Sequence, residues 1–100
     1  MMLLVELQAR PECCEELMAL LEALTEIAAT EAGVLVYAVN RSQDTPTHFV
    51  LYELYRSRAE WEAHLQLTGV KQALARFPEL LTEEPKLLFG EGLQRVAKST

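Results

Sequence analysis

The sequence predicts an α+β protein of the ferredoxin-like type, with the order strand, helix, strand, strand, helix, strand (βαββαβ) and a four-stranded antiparallel sheet. Three observations predict it. Four short apolar stretches, at 2–9, 34–40, 48–55 and 86–93, carry strand-like patterns. Helical patterns fill the first and third gaps, whereas the second gap, Ser42-Gln43-Asp44-Thr45-Pro46, is a loop by composition. The chain has 100 residues, enough for one domain with a real core, placed at 1–96 with 97–100 as a frayed tail.

In the first strand Leu3, Val5, Leu7 and Ala9 share one face. Pro11 suits a first helical position, and Glu12, Glu15 and Glu16 complement the positive end of the helix dipole. Cys13, Leu17, Leu20, Leu21, Leu24, Ile27 and Ala28 then recur at helical spacing, with Gly33 as the C-terminal stop. Val34 to Asn40 is nearly continuous in apolar residues, which predicts a strand covered on both faces. It pairs with the strand at 48–55 as an antiparallel hairpin. Ser57-Arg58-Ala59-Glu60 fits a capping box and opens the next helix. That helix has two apolar seams: Ala59, Ala63 and Leu67 on one, Trp61 and Leu65 on the other, with His64 between. A further helix follows Gly69, with Val70, Ala73, Leu74 and Phe77 on one side and Pro78 closing it. Pro85 precedes the last strand, Lys86 to Leu93.

Both helical segments should cover one sheet face. The strands are too apolar for the other face to meet water, so a second copy of the chain, as a twofold dimer with sheets face to face, is the economical cover.

Charge and composition exclude several classes. A net charge of −6 argues against nucleic acid and against an anionic membrane surface. No stretch approaches the ~20 apolar residues of a membrane span. Met1 to Val5 is too short an apolar run for a signal peptide, and no basic segment precedes it. The only cysteines, Cys13 and Cys14, are neighbours in a helix that cannot staple a fold, and no Cys/His set has metal-ligand spacing. A reduced cytoplasmic protein without metal or cofactor motif is the expectation.

The segment Tyr37 to Leu65 carries a strand with Phe49, Glu53 and Tyr55 in the pattern F-x-x-x-E-x-[WY], followed by a helix with Ala-x-x-His ending at His64. It resembles the antibiotic biosynthesis monooxygenase family. The resemblance implies a dimeric α+β barrel, with a pocket between sheet and helices in each protomer that holds a small flat aromatic such as a quinol or polyphenol. It implies oxidation of an electron-rich phenolic by dioxygen without metal or flavin. The haem-degrading branch of the family places a histidine ten residues beyond the His64 position, where this chain has Leu74.

His64 is the candidate base, since an imidazole titrates near neutrality; its alternative is a surface pair with Glu60. Glu53, inside an apolar strand, must be partnered or have a raised pKa, and is either a second proton-transfer group or a structural partner for His64 or a backbone amide. Trp61, Tyr37, Tyr52 and Phe49 are the candidate substrate-binding residues, with simple packing as their alternative. Whether Tyr37 and Tyr52 share a face depends on strand register. His48 is expected to be solvated. Three functions stay open: a cofactor-free monooxygenase of a phenol or quinol, a non-catalytic dimeric ligand-binding or sensor module, and an isomerase or detoxifying enzyme on a reactive carbonyl.

Overall fold

The computed structural model describes residues 1–98. Four strands, β1 (Met2–Gln8), β2 (Val34–Arg41), β3 (His48–Tyr55) and β4 (Lys86–Gly90), form one antiparallel sheet in the order β2-β3-β1-β4. The helices are α1 (Cys14–Ala29), α2 (Arg58–Gln66), α3 (Thr68–Ala75) and the single turn α4 (Phe77–Leu80). This is the expected βαββαβ arrangement, with β1 and β3 paired in the centre.

Alternation decides which side of the sheet is buried. Leu3, Val5 and Leu7 of β1 stand opposite Glu53, Leu51 and Phe49 of β3, and all six are buried. Leu17, Leu21 and Leu24 of α1, Val70 and Ala73 of α3, and Phe77 and Leu80 of α4 close over that face to make the core. The intervening residues Leu4, Val50, Tyr52, Leu54, Val36 and Ala38 point the other way and are only half-buried. Leu88 on the same face of β4 is 58% exposed.

Several expectations change in detail, each for a local reason. Pro11 opens a 3-10 turn, Pro11–Cys13, and α1 begins only at Cys14. Cys13 and Cys14 pack half-buried against the core, as expected. The first helix ends at Thr30, whose hydroxyl donates to the Ile27 carbonyl (2.7 Å). Gly33 is therefore not a left-handed stop, and no described residue has a positive φ. What Gly33 supplies is close approach, because a Cβ there would overlap the Glu60 side chain. Strand β2 is not covered on both faces in the single chain: it is an edge, a bulge lies between Val34 and Val36, and Leu35 and Val39 are exposed.

Ser57 caps α2 by accepting the Glu60 N–H (3.3 Å), but Glu60 packs on Gly33. Leu67, in extended conformation, breaks the helical run, so α3 starts at Thr68. Pro78 begins α4 rather than ending α3; at a first turn its missing N–H has no partner to lose. Strand β4 stops at Gly90, three residues early. Residues 91–98 have no regular structure, and the rest of the expected tail lies outside the described residues.

Gly33→Ala is expected to destabilise the fold by about 1–3 kcal/mol through overpacking. Glu60→Ala in the same chain should recover part of that loss. Denaturant unfolding of the two single variants and the double variant measures the coupling, and strict additivity would contradict the assigned contact.

Candidate active site

A cavity of about 650 Å³ lies between the sheet and the helices. Leu3, Val5 and Leu51 floor it, and Leu24, Leu65 and Val70 roof it. Its size suits a small organic ligand, and its walls are mostly apolar. Polar side chains gather at one end: Glu53 and Tyr37 from paired positions on β3 and β2, and His64 from α2.

Glu53 reaches this end because it occupies an inward-facing position of β3, between the buried Leu51 and Tyr55. It is 5% exposed and accepts a hydrogen bond from the Tyr55 hydroxyl (2.5 Å). Burial pushes its carboxyl above the ordinary carboxylate range, and the Tyr55 bond and His64 offset only part of that. Burial likewise raises the phenols of Tyr55 and Tyr37, reinforced by the nearby Glu53 and Glu31 carboxylates. Both phenols therefore keep their protons at neutral pH and act as donors.

His64 is 4% exposed, and its Nδ1 lies 2.6 Å from Oε2 of Glu31, in the turn after α1. A carboxylate accepts, so with a neutral ring Nδ1 carries the proton and Nε2 the lone pair. Among the described residues Nε2 has no hydrogen-bond partner, and no fully buried side-chain nitrogen or oxygen lacks one. Nε2 therefore retains some accessible surface, and His64 is among the residues that line the cavity. The same holds for the Tyr37 hydroxyl. The rings of Tyr37 and Tyr55 flank the imidazole at centroid distances of 6.1 and 5.7 Å. The end of the cavity thus offers a basic nitrogen held by a carboxylate, beside a phenolic donor and a carboxyl with raised proton affinity.

The residues singled out from the sequence divide between two sides of the sheet. Glu53, His64, Tyr37 and Trp61 line the cavity. Tyr52 stands opposite Ala38, on the far face of the sheet. Phe49 is 1% exposed in the core beyond the cavity, with the Arg41 guanidinium 5.2 Å from its ring centre. His48 is not simply solvated; its Nε2 is 3.1 Å from Glu6 on the neighbouring strand. The partner of His64 is Glu31 and not Glu60, and the partner of Glu53 is the Tyr55 hydroxyl. Glu31 carried no signal in the sequence, because 33 residues separate it from the histidine that it holds. Tyr55 stood in the motif and was readable only as its final aromatic. Among the described residues no three His, Cys, Asp or Glu side chains are grouped to hold a metal ion.

The model of the antibiotic biosynthesis monooxygenase family matches residues 1–76. The chain belongs to this family. The match takes in Glu31, Tyr37, Glu53, Tyr55, Trp61 and His64, and stops before α4 and β4. Among solved structures, the chain is similar to Rv0793 from Mycobacterium tuberculosis, with 27% identity, 96% of this chain and 97% of that one covered, and a TM-score of 0.89. It is also similar to PA3566 from Pseudomonas aeruginosa, with 28% identity, 96% and 93% coverage, and a TM-score of 0.79. A crystal structure described as an antibiotic biosynthesis monooxygenase shares the fold at 18% identity, with 93% and 98% coverage and a TM-score of 0.86. The uncharacterized protein sll1783 of Synechocystis is 24% identical over 81 residues, or 81% of this chain. The chain spans 55% of the length of that curated relative.

The buried carboxyl makes stability depend on pH. Because folding raises the Glu53 pKa, its stabilising contribution is complete below the unfolded value near 4.5 and is lost as pH rises through the folded value. Glu53→Gln cannot titrate and keeps an acceptor for Tyr55. The melting temperature of this variant relative to wild type is expected to rise as pH increases from about 4 to about 9, each tenfold difference in proton affinity being worth about 1.4 kcal/mol. A difference independent of pH would contradict the assignment.

Proposed function

We propose that the protein is a cofactor-independent monooxygenase of a small phenol or quinol, working in the cytoplasm as a homodimer whose domain spans residues 1–96. The observation that carries this reading is a buried imidazole that lines a mostly apolar cavity, with Nδ1 held by Glu31 and Nε2 without a hydrogen-bond partner among the described residues. Such a nitrogen can take the proton of a bound phenol, and the phenolate is the electron donor to dioxygen. Oxygen becomes bonded to a ring carbon that loses its hydrogen. The ring is left as a quinone, and the second oxygen atom leaves as water with the two hydrogens removed. The Tyr37 hydroxyl, whose pKa is raised by burial, stabilises negative charge on the substrate oxygen as a donor, and burial raises the proton affinity of the Glu53 carboxyl beside it. Trp61 walls the site for a flat ring. A twofold partner on the half-exposed sheet face, where Leu4, Val50, Tyr52 and Leu54 lie, completes a dimeric α+β barrel.

Oxygen uptake by metal-free and flavin-free protein, measured against a panel of hydroquinones, naphthols and anthrones, tests the reading. His64→Ala is expected to lower kcat/KM by about 10²–10⁴-fold. Saturable binding with no oxygen uptake would replace the oxygenase with a binding module. Solvent deuterium entering a carbonyl substrate without oxygen uptake would point to the isomerase.

A further inference from the structure

The cavity has a second polar end that the proposed chemistry does not use. Of β1, Leu3 (opposite Glu53) and Val5 floor the cavity, and Arg10, just beyond the strand, also lines it; Leu3 to Arg10 spans about 23 Å of extended chain at 3.3 Å per residue. Glu53, opposite Leu3, and His64 also line it, and both are buried. Arg10, Glu83 and Glu84, all exposed, line it beyond the end of β1, and the exposed Leu87 lines it beside Val5.

Arg10 is held firmly there. It precedes a proline, which favours the extended backbone it adopts (φ −62°, ψ 136°). Its N–H donates to the Leu80 carbonyl (2.9 Å), and its carbonyl accepts from the Cys13 N–H (2.8 Å). The side-chain Nε donates to the Glu79 carbonyl (3.2 Å), which fixes the plane of the guanidinium. Among the described residues no carboxylate lies within ion-pairing distance of it. The nearby acids are otherwise engaged: the Glu79 carboxylate bonds Arg76 (2.9 Å), and Glu83 is 4.0 Å from Lys86. Glu84, on the same rim, makes no ion pair.

We infer that Arg10 is a specificity-determining residue and that the ligand of this cavity is an elongated aromatic with a hydroxyl at one end and a carboxylate at the other. The hydroxyl end rests on the oxygenase reading above; the carboxylate end stands on Arg10 alone. A guanidinium whose plane is already fixed offers its terminal nitrogens to a carboxylate with little further ordering. Glu84 opposes this attraction and sets its strength.

Calorimetric titration of the full chain with p-hydroxybiphenyl, and with the same molecule carrying a carboxylate on its far ring, tests the inference. The acid is expected to bind about tenfold or more tightly than its parent, in line with a charge-assisted hydrogen bond. Arg10→Gln should bring the ratio of the two affinities close to one, Arg10→Lys should keep part of it, and Glu84→Gln should enlarge it. The preference should weaken with added salt. Acid binding no tighter than the parent, including no binding of either, overturns the inference, as does an unchanged ratio in Arg10→Gln with a wild-type melting temperature. Oxygen uptake is recorded separately. Arg10-dependent acid binding without uptake sinks the oxygenase and leaves the anionic subsite standing. Uptake with the parent and no acid preference does the reverse.

Discussion

The interior of this protein is organised by the need to bury one carboxyl and one imidazole among apolar side chains. An unpaired polar group in such a place costs about 1–3 kcal/mol, and a charged one more. Both groups are therefore paired, Glu53 with the Tyr55 hydroxyl and His64 with Glu31. Each pairing leaves something over. Tyr55 spends its one proton on Glu53, while the hydroxyl of Tyr37, its neighbour around the imidazole and a lining residue of the cavity, has no hydrogen-bond partner among the described residues. Glu31 occupies Nδ1 and so leaves Nε2 as the nitrogen without a hydrogen-bond partner among the described residues.

The fold brings these groups together by simple means. Alternation along β3 turns Glu53 and Tyr55 to the same side, and the antiparallel register of β2 sets Tyr37 beside Glu53. The cap at Ser57 fixes the phase of α2, which points His64 inward and leaves Ala59 and Ala63 in solvent. Gly33, with no side chain, lets the turn that carries Glu31 lie against Glu60 on that helix. The acid that orients the base is thus delivered by contact between two segments far apart in sequence. The edge strand β4 pairs only with β1, and its inward-facing Leu87, which lines the cavity beside Val5, is 52% exposed.

How much of this was legible in the sequence follows from which interactions are local. Period-two and helical patterns, the capping serine and the composition of the 42–46 loop act within a few residues, and they placed every strand and the main helices. The inward position of Glu53 was readable for the same reason. The partner of His64 was not, because helical spacing offered Glu60 while the tertiary contact selected Glu31. Tyr37 and Tyr52 could not be assigned to faces until the pairing of Tyr37 with Glu53, and of Tyr52 with Ala38, was known. Pro78 was read as a terminator, though the same missing N–H equally suits a first turn. The nearly all-apolar pattern of β2 implied cover on both faces, yet half of that strand is exposed in the single chain.

The proposed role of His64 as a base requires that Glu31 fix its tautomer and leave Nε2 unprotonated. Nitrogen-15 NMR of the imidazole, recorded at a pH where the ring is neutral, measures this directly. The expected result is a protonated Nδ1 and a pyridine-type Nε2 in the wild type, with a mixture of tautomers in Glu31→Gln. A wild-type ring protonated at Nε2 would contradict the claim, and with it the assignment of His64 as the proton acceptor.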